Sequence, residues 1–340
     1  MATVDVLDSF INYIDLGTGS VPVVFLHGNP TSSHLWRNML PHVTGQARCL
    51  APDLMGMGAS GKPDIDYRLD DHARYLDAWF DALGLDEVVL VGHDWGGTLA
   101  MDWAARHPGR VRGVAVIETF LRPMRWEELP QGSAGMFRKF RSAEGERAVL
   151  EDNLFIEFNL PKLIAGLTDA DLDAYRAPYP TPVSRRPMLA WAREFPLDGA
   201  PADVVQRVLD YGQWMAESVS VPKLLMKVEP GVGLGSPEII EWPGHLPALH
   251  LQSGRTESIL PLPTPSGEGR RDRPHPPRQS TTCEPSRHPR WPHSRRGCRP
   301  NAASHRRRRR NPCPPGLRRA AGKDGRDHRT PAIRPLPLLD

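Results

Sequence analysis

The most informative absence in this 340-residue chain is confined to its last 90 residues. Residues 251–340 contain no Val, Phe, Tyr or Met and a single aromatic residue, Trp291, alongside 16 prolines. A segment with so little apolar surface cannot offset the entropy that it loses when it becomes ordered. We therefore predict that residues 248–340 form a low-complexity basic tail, disordered and without a core.

Acidic residues are also scarce in the tail, although the overall charge conceals this. Residues 1–250 carry 22 Lys and Arg against 33 Asp and Glu, a net charge of −11. Residues 251–340 carry 21 against 7, a net charge of +14, and the sum is the near-neutral +3. The run Arg306–Arg310 allows an alternative, a genuine extension that binds nucleic acid or another acidic surface. No aromatic residues are interleaved to stack on bases, so we expect no nucleic-acid partner.

Cysteine is rare, which excludes a disulfide framework. The body of the chain has only Cys49, and the other three, Cys283, Cys298 and Cys313, lack the paired spacing of a zinc site. There is no secretory signal and no apolar run long enough to cross a membrane. The sequence therefore predicts a cytoplasmic protein with no membrane association, and we expect no metal and no cofactor.

The remaining part of the chain alternates short apolar runs with helical spacing. The predicted strands lie at residues 10–15, 21–26, 49–52, 88–91, 111–117 and 221–228, and the predicted helices at 33–43, 69–83 and 98–105. This alternation predicts an α/β fold, a doubly wound and mostly parallel sheet covered on both faces. Functional sites in such sheets form beyond the carboxyl ends of the strands. Asn29, Asp94 and Glu118 each follow such an end.

The pattern changes at residue 121, where a long helical stretch begins. Residues 121–220 are interrupted by prolines and contain no convincing strand. We therefore predict a core over residues 1–120, an inserted helical cap over 121–220, and a resumed core strand within 221–247.

A strand, a sharp turn and a helix surround Asp94. The turn reads Gly92-His93-Asp94-Trp95-Gly96, the G-x-nucleophile-x-G layout of a nucleophile elbow with aspartate in place of serine. Glycines suit this turn because the nucleophile takes a strained backbone conformation beside which bulky neighbours would clash. The substitution favours hydrolases that form an ester to a carboxylate. The alternative is that Asp94 merely caps a helix, a common role for aspartate.

Seven stretches give the chain a resemblance to a known family over residues 9–247. The sequence resembles haloalkane dehalogenases of the α/β-hydrolase superfamily, in the subgroup with an Asp nucleophile, a Glu acid and an Asn–Trp halide clamp. It also resembles the Renilla-type luciferase, a close relative of these enzymes. The matching stretches are HGNPTSSHLWRN (27–38), PDLMGMGASGKP (52–63), GHDWGG (92–97), IETFLRPM (117–124), NLFIEFNLPK (153–162), RRPMLAWAREFPLDG (185–199) and VPKLLMKVEPG (221–231).

The resemblance implies a role for each site residue. Asp94 would attack a haloalkane and displace halide, and Asn29 and Trp95 would bind the halide and, through their backbone N–H groups, the oxyanion. Glu118 would orient a base histidine that activates water, although Glu229 ends the following strand and competes for this role. The implied partners are a small haloalkane and water, and we expect a monomer.

Other interpretations remain open at this stage. Trp95 could be a core residue and Asn29 an ordinary turn residue before proline. An epoxide hydrolase would need two cap tyrosines, for which the cap offers Tyr175, Tyr179 and Tyr211. A fluoroacetate dehalogenase would need arginines just after the nucleophile, where there are none. A luciferase-like oxygenase and an inactive remnant complete the alternatives.

No base histidine can be identified in the sequence. The family carries it after the last strand, in a segment like G-(I/L)-H-(F/Y). His245 and His250 lie too early, and the next histidine, His275, lies in the Arg/Pro tract. His27 and His93 are interpreted as structural. We treat four others as bystanders on helices or their ends: His34, His42, His72 and His107.

The tail composition suggests why the histidine is missing, because a GC-rich gene read out of frame gives this mixture of Arg, Pro, Gly, Ser and His. One permitted codon set for residues 252–260, read from the third base of codon 252, encodes V-G-P-D-G-I-H-F-A, with the histidine codon spanning Ser258 and Ile259. We therefore hypothesise a frameshift near residues 243–250. The base, the last strand and a closing helix of the core would then be missing, and this chain would fold poorly and be nearly inactive.

Overall fold

One mixed sheet runs through the residues that the computed structural model describes, which are 1–129, 131–164, 166–229 and 246–255. Its strands are β1 (Ala2–Val6), β2 (Ser9–Leu16), β3 (Val23–Leu26), β4 (Cys49–Pro52), β5 (Val88–His93), β6 (Val111–Ile117), β7 (Lys223–Glu229) and β8 (Leu249–Arg255). Their order is β1-β2-β4-β3-β5-β6-β7-β8. β2 is antiparallel to β1 and β4, and all other neighbours are parallel, which confirms the predicted sheet.

Helices pack against this sheet and form the cap. They are α1 (Leu40–Val43), α2 (Leu69–Ala82), α3 (Trp95–Arg106), α4 (Gln131–Phe140), α5 (Ala143–Leu150), α6 (Leu160–Leu163), α7 (Asp169–Arg176), α8 (Arg186–Glu194) and α9 (Ala202–Glu217). The helix predicted over 33–43 is divided into a 3₁₀ turn at Ser33–Asn38 followed by α1. β1 was absent from the sequence prediction because its alternation of apolar and polar residues is short and lies on the sheet edge.

Burial explains why the core elements form where they do. Every residue of β4 is buried, as expected for a strand covered on both faces. In α2 the residues Leu76, Trp79 and Phe80 are buried, and this apolar stripe at helical spacing packs into the main core. The helix that follows β5, α3, is buried from Trp95 through Ala104, so it lies at the centre of the core.

The inserted cap is helical, as predicted. Between residues 121 and 220 the described residues form helices and turns, with isolated bridges at Met124, Leu197 and Ala200. The cap has an apolar cluster of its own, whose most buried members include Phe140, Val149, Ile156, Tyr175, Tyr179 and Met188. Of the helices in the described ranges, none is long and apolar enough to cross a membrane.

Several ion pairs join the cap to the core, and two groups of them lie near the carboxyl end of the sheet. Asp171 on α7 accepts from His34 at 3.1 Å and from Arg37 at 2.7 Å, both in the 3₁₀ turn that follows β3. Glu194 at the end of α8 accepts from the Arg68 side chain at 3.0 Å. The cap is therefore fixed to the loops that carry the carboxyl end of the sheet.

The boundary predicted for the tail is wrong by about one strand. Residues 249–255 do not belong to a structureless tail but form β8, which runs parallel to β7 with Lys223 opposite Leu249 and Glu229 opposite Arg255. The physical reason is local, because Leu249 and Leu251 alternate with polar residues at the period of a strand. The expectation that this chain lacks its last strand is corrected accordingly. The rest of the predicted tail lies outside the described residues.

Candidate functional site

Asp94 occupies a strained turn between β5 and α3. Its backbone has φ 54° and ψ −128°, a conformation that costs a non-glycine residue about 1–3 kcal/mol. The turn is held by the Asp94 N–H, which donates to the Ile117 carbonyl at 3.1 Å, and by the Asp94 carbonyl, which accepts from the Gly97 N–H at 2.9 Å. The predicted sharp elbow is therefore present.

Two glycines allow this turn to pack against its surroundings. A Cβ atom on Gly28 would overlap the carboxylate of Asp94, and a Cβ on Gly96 would overlap the backbone carbonyl of Leu26. Neither position tolerates a side chain, because one obstacle is the Asp94 carboxylate and the other is rigid backbone. The glycines around Asp94 are thus required by close approach.

The Asp94 carboxylate is bound by backbone donors from both sides of the site. Its Oδ1 accepts from the Asn29 N–H at 2.8 Å, and the Trp95 N–H also donates to the carboxylate. Asp94 stands at the N-cap position of α3, but its side chain makes no capping hydrogen bond to that helix. The two N–H groups are the pair that the sequence predicts for an oxyanion.

Removal from bulk water raises the pKa of Asp94 to about 6. The N–H donors of Trp95 and Asn29 act in the opposite direction because they stabilise the charged carboxylate, whereas the negative charge of Glu118 raises the pKa further. Asp94 is therefore largely ionised at pH 7 and largely protonated two pH units lower, at pH 5.

Asn29 lies in the loop after β3, and its side chain reaches the cap. The Nδ2 group donates to the Met188 carbonyl of α8 at 3.1 Å. Because an amide nitrogen carries two hydrogens, the second N–H of Asn29 is available for a ligand. This contact fixes the orientation of the amide, so Asn29 is more than a turn residue.

Trp95 follows Asp94 and is 3% exposed. Its ring stacks on Trp191 of α8, with centroids 4.5 Å apart and an interplanar angle of 28°, and meets Phe120 edge-on at 4.8 Å. The side chains around Asp94 on the Trp95 side are therefore aromatic and apolar. In these surroundings the low dielectric strengthens a hydrogen bond to an anion.

Glu118 directly follows β6, as Asp94 directly follows β5, so the two residues lie at the same height along neighbouring strands. His93 and Ile117 are register partners on neighbouring strands, so Asp94 and Glu118 leave the sheet side by side. Glu118 also has a positive φ of 46°. Glu229 is the last residue of β7, but its side chain lies outside the described residues.

Burial lowers the pKa of both His27, which follows β3, and His93, the last residue of β5. His27 has both ring nitrogens engaged, with Nδ1 at 3.0 Å from the Gly28 carbonyl and Nε2 accepting from the Leu54 N–H at 2.9 Å. Burial, and then the nearby His27, lowers the pKa of His93 to about 4. This geometry agrees with the structural role predicted for both.

No histidine in the described ranges follows the last strand. His250 is exposed and lies within β8 opposite Leu224, near the start of the strand rather than its carboxyl end. His245 and the histidines from His275 onward lie outside the described residues, as does the segment that follows Arg255.

One histidine has a contact that the sequence analysis did not predict. His72 is treated there as a bystander, but its ring stacks on Trp191 at 4.1 Å and 20°, and Trp191 stacks on Trp95. A signal was available, because His72 lies three residues after Leu69 and four before Leu76, on the buried stripe of α2.

The three cap tyrosines considered for epoxide chemistry have separate environments. The Tyr211 hydroxyl donates to the Phe120 carbonyl at 2.7 Å and is therefore occupied. Tyr175 packs edge-on against His34, and the Tyr179 hydroxyl is buried without a hydrogen-bond partner. Across the described ranges, no group of three or more His, Cys, Asp or Glu side chains could hold a metal ion.

Comparison with known proteins gives a consistent result. The α/β hydrolase fold family matches residues 21–153. A haloalkane dehalogenase from Mesorhizobium japonicum is 48% identical over 237 residues, which cover 68% of this chain and 76% of that protein. One from Sphingobium indicum is 49% identical over 226 residues, covering 64% and 76%. The crystal structure of haloalkane dehalogenase DbeA from Bradyrhizobium elkani superposes with a TM-score of 0.72 at 41% identity, covering 76% of this chain and 94% of that one.

Proposed function

Because the chain belongs to the haloalkane dehalogenase family, whose members are hydrolases acting on carbon–halide bonds, we propose that Asp94 displaces the halide of a haloalkane. An Asp94 oxygen attacks the sp³ carbon, the carbon–halogen bond breaks, and the halide leaves with the bonding electrons. The product is an alkyl ester of Asp94, which water hydrolyses to an alcohol. The observation that carries this proposal is the ionisable carboxylate on a strained turn, held by the Asn29 and Trp95 N–H groups.

The same two residues serve both steps of the reaction. Their backbone N–H groups remain on the oxygen that becomes the ester carbonyl and bind the oxyanion that forms when water attacks it. The Trp95 indole N–H and the second Nδ2–H of Asn29 bind the departing halide. Charge is thus stabilised at each place where it develops, without protein rearrangement.

Glu118 is proposed as the acid that orients the base. Its position beside Asp94 at the carboxyl edge, where its charge contributes to raising the pKa of Asp94, supports Glu118 over Glu229. The base itself would follow β8 at the same edge, in the segment after Arg255. Because the printed sequence carries no histidine in residues 256–274, we propose that this chain forms the ester but is impaired in releasing it.

We further propose that the folded chain acts as a monomer on small haloalkanes and water, with residues 1–120, 221–229 and 246–255 in the core and 121–220 in the cap. Nucleic acid is not a partner in this proposal. A gel-shift assay with duplex and single-stranded DNA tests that point directly, because a basic tail that binds acidic polymers retards both.

Replacing Trp95 with Phe tests the halide site. Trp95→Phe keeps most of the ring area but removes the indole N–H, and hydrogen bonds to charged groups contribute about 1.5–3 kcal/mol, so bromide affinity should fall about tenfold or more. The measurement is the rise in melting temperature with sodium bromide at constant ionic strength. Trp214→Phe on α9 is the matched control and should leave the bromide effect intact. An unchanged bromide response in Trp95→Phe contradicts the proposed clamp.

Ester formation should depend on pH through Asp94. Only the carboxylate is a nucleophile, and its pKa of about 6 means that the alkylation rate is constant above pH 7 and falls about tenfold per unit below pH 6. The measurement is the initial rate of adduct formation with 1-bromobutane between pH 4.5 and 9. A rate that stays level down to pH 4.5 would show that Asp94 has an ordinary pKa.

A further inference from the structure

One helix of the cap contacts both members of the proposed halide clamp. The Met188 carbonyl of α8 accepts from Asn29 Nδ2 at 3.1 Å, and Trp191 of the same helix stacks on Trp95 at 4.5 Å. The two contact residues are three positions apart, so they lie on the same face of α8. The position of this helix therefore affects both halide donors at once.

Trp191 is supported in turn by α2. The His72 ring stacks on it at 4.1 Å and 20°, so His72, Trp191 and Trp95 form a column of three rings with Trp191 in the middle. His72 is 1% exposed and Trp191 is fully buried. In a close-packed interior, a ring that loses one stacking neighbour shifts or leaves a void.

The end of α8 is attached to the same helix that carries His72. Glu194 is 6% exposed and accepts from the Leu69 N–H at 2.9 Å and from Arg68 Nε at 3.0 Å. Leu69 is the first residue of α2, where a carboxylate meets unpaired N–H groups and the positive end of the helix dipole. α2 and α8 are thus joined by a stack and by charge-assisted hydrogen bonds.

His72 acts in this column as an uncharged ring. Burial, followed by the neighbouring His27, lowers the pKa of His72 to about 3, so the imidazole is neutral at any pH at which the protein would be assayed. A mechanism that uses His72 as a base on substrate is not indicated, since Trp191 lies between His72 and Trp95.

We propose that His72 is a positioning residue for the halide site, acting through Trp191 to hold the Trp95 indole and, through α8, the Asn29 amide. This inference rests on the proposed function, because it concerns the same halide clamp. It predicts that removing the His72 ring weakens halide binding although His72 touches no ligand.

The test compares variants of the full chain by saturable quenching of tryptophan fluorescence with bromide. His72→Ala should raise the dissociation constant for bromide about fivefold or more, as coupling between linked sites allows. His72→Phe retains a ring of similar size and should stay within about twofold of the parent chain. His72→Leu fills the space without a ring and serves where the alanine variant does not fold; it should weaken binding as well.

A matched control separates positioning from general destabilisation. His107 stacks on Trp103 at 4.4 Å and 23°, the same kind of contact, but Trp103 has no stack with Trp95 or Trp191. His107→Ala should lower the melting temperature and leave the bromide dissociation constant unchanged. If the parent chain binds bromide and both His72→Ala and His72→Leu bind it equally well, the positioning role is overturned alone. If the parent chain shows no saturable quenching, the proposed function is overturned, and the inference with it.

Discussion

Incubated with 1-bromobutane, the full-length chain is expected to gain a single butyl group on Asp94, an increase of about 56 Da, and to keep it. Formation needs only the Asp94 carboxylate and the halide clamp, which the described residues provide. Release needs a base to activate water, and a general base contributes about 10²–10⁴ in rate. The ester should therefore accumulate, with about one bromide released per chain.

The adduct is measured by intact mass and located by peptide mapping across β5 and α3. Asp94→Asn is the control, because a neutral amide keeps the size and the acceptor oxygen for Asn29 but is not a nucleophile, and it should remain unmodified. Steady release of many equivalents of bromide by the parent chain would contradict the proposal that turnover is impaired. Butylation of another residue, with Asp94 unmodified, would contradict the assignment of Asp94 as the nucleophile.

A chain translated in the alternate reading frame should release the Asp94 ester and turn over repeatedly, instead of forming the ester once. A chain that continues from the region of codon 252 in the frame encoding V-G-P-D-G-I-H-F-A regains a histidine just after β8. We expect repeated cycles, with an increase in steady-state rate of about 10²–10⁴. In the present chain β8 ends at Arg255, and the alternate-frame histidine codon spans positions 258 and 259.

The coding DNA around codons 240–262 decides first whether that frame exists, because the codons used above are only one permitted choice. If no alternate frame contains such a segment, the frameshift hypothesis fails. The restored chain with phenylalanine at its histidine is the matched control and should form the ester without releasing it. Equal steady-state rates for the two restored chains would contradict the assignment of the base.

The positions of Asn29, Asp94 and Glu118 at the carboxyl ends of the strands were predictable, because the sequence signals for them are local. Asn29, Asp94 and Glu118 each follow a short apolar run, and parallel strands bring their carboxyl ends to one edge whatever the details of packing. The strained turn at Asp94 was likewise predictable, since the glycines around it indicate a close approach of the backbone. These inferences needed neither a contact map nor a side-chain position.

The features that escaped prediction depend on contacts between distant elements. His72 and Trp191 are 119 positions apart along the chain, and nothing local indicates that their rings meet. The Asn29 amide likewise finds the Met188 carbonyl across 159 positions. β8 was missed for a different reason, because the unusual composition of the whole tail obscured the strand period of residues 249–255.

The hydrogen bond between Asn29 and Met188 has a thermodynamic consequence, because one partner belongs to the core and the other to the cap. If Asn29 and Trp95 bind halide as proposed, a movement of α8 away from the sheet would break this hydrogen bond and displace Trp191, and the open form would bind halide more weakly than the closed form. Linkage then requires the reverse as well: a bound halide favours closure by the same factor. Under the proposed halide role, release of the leaving group and opening of the cap would therefore be coupled.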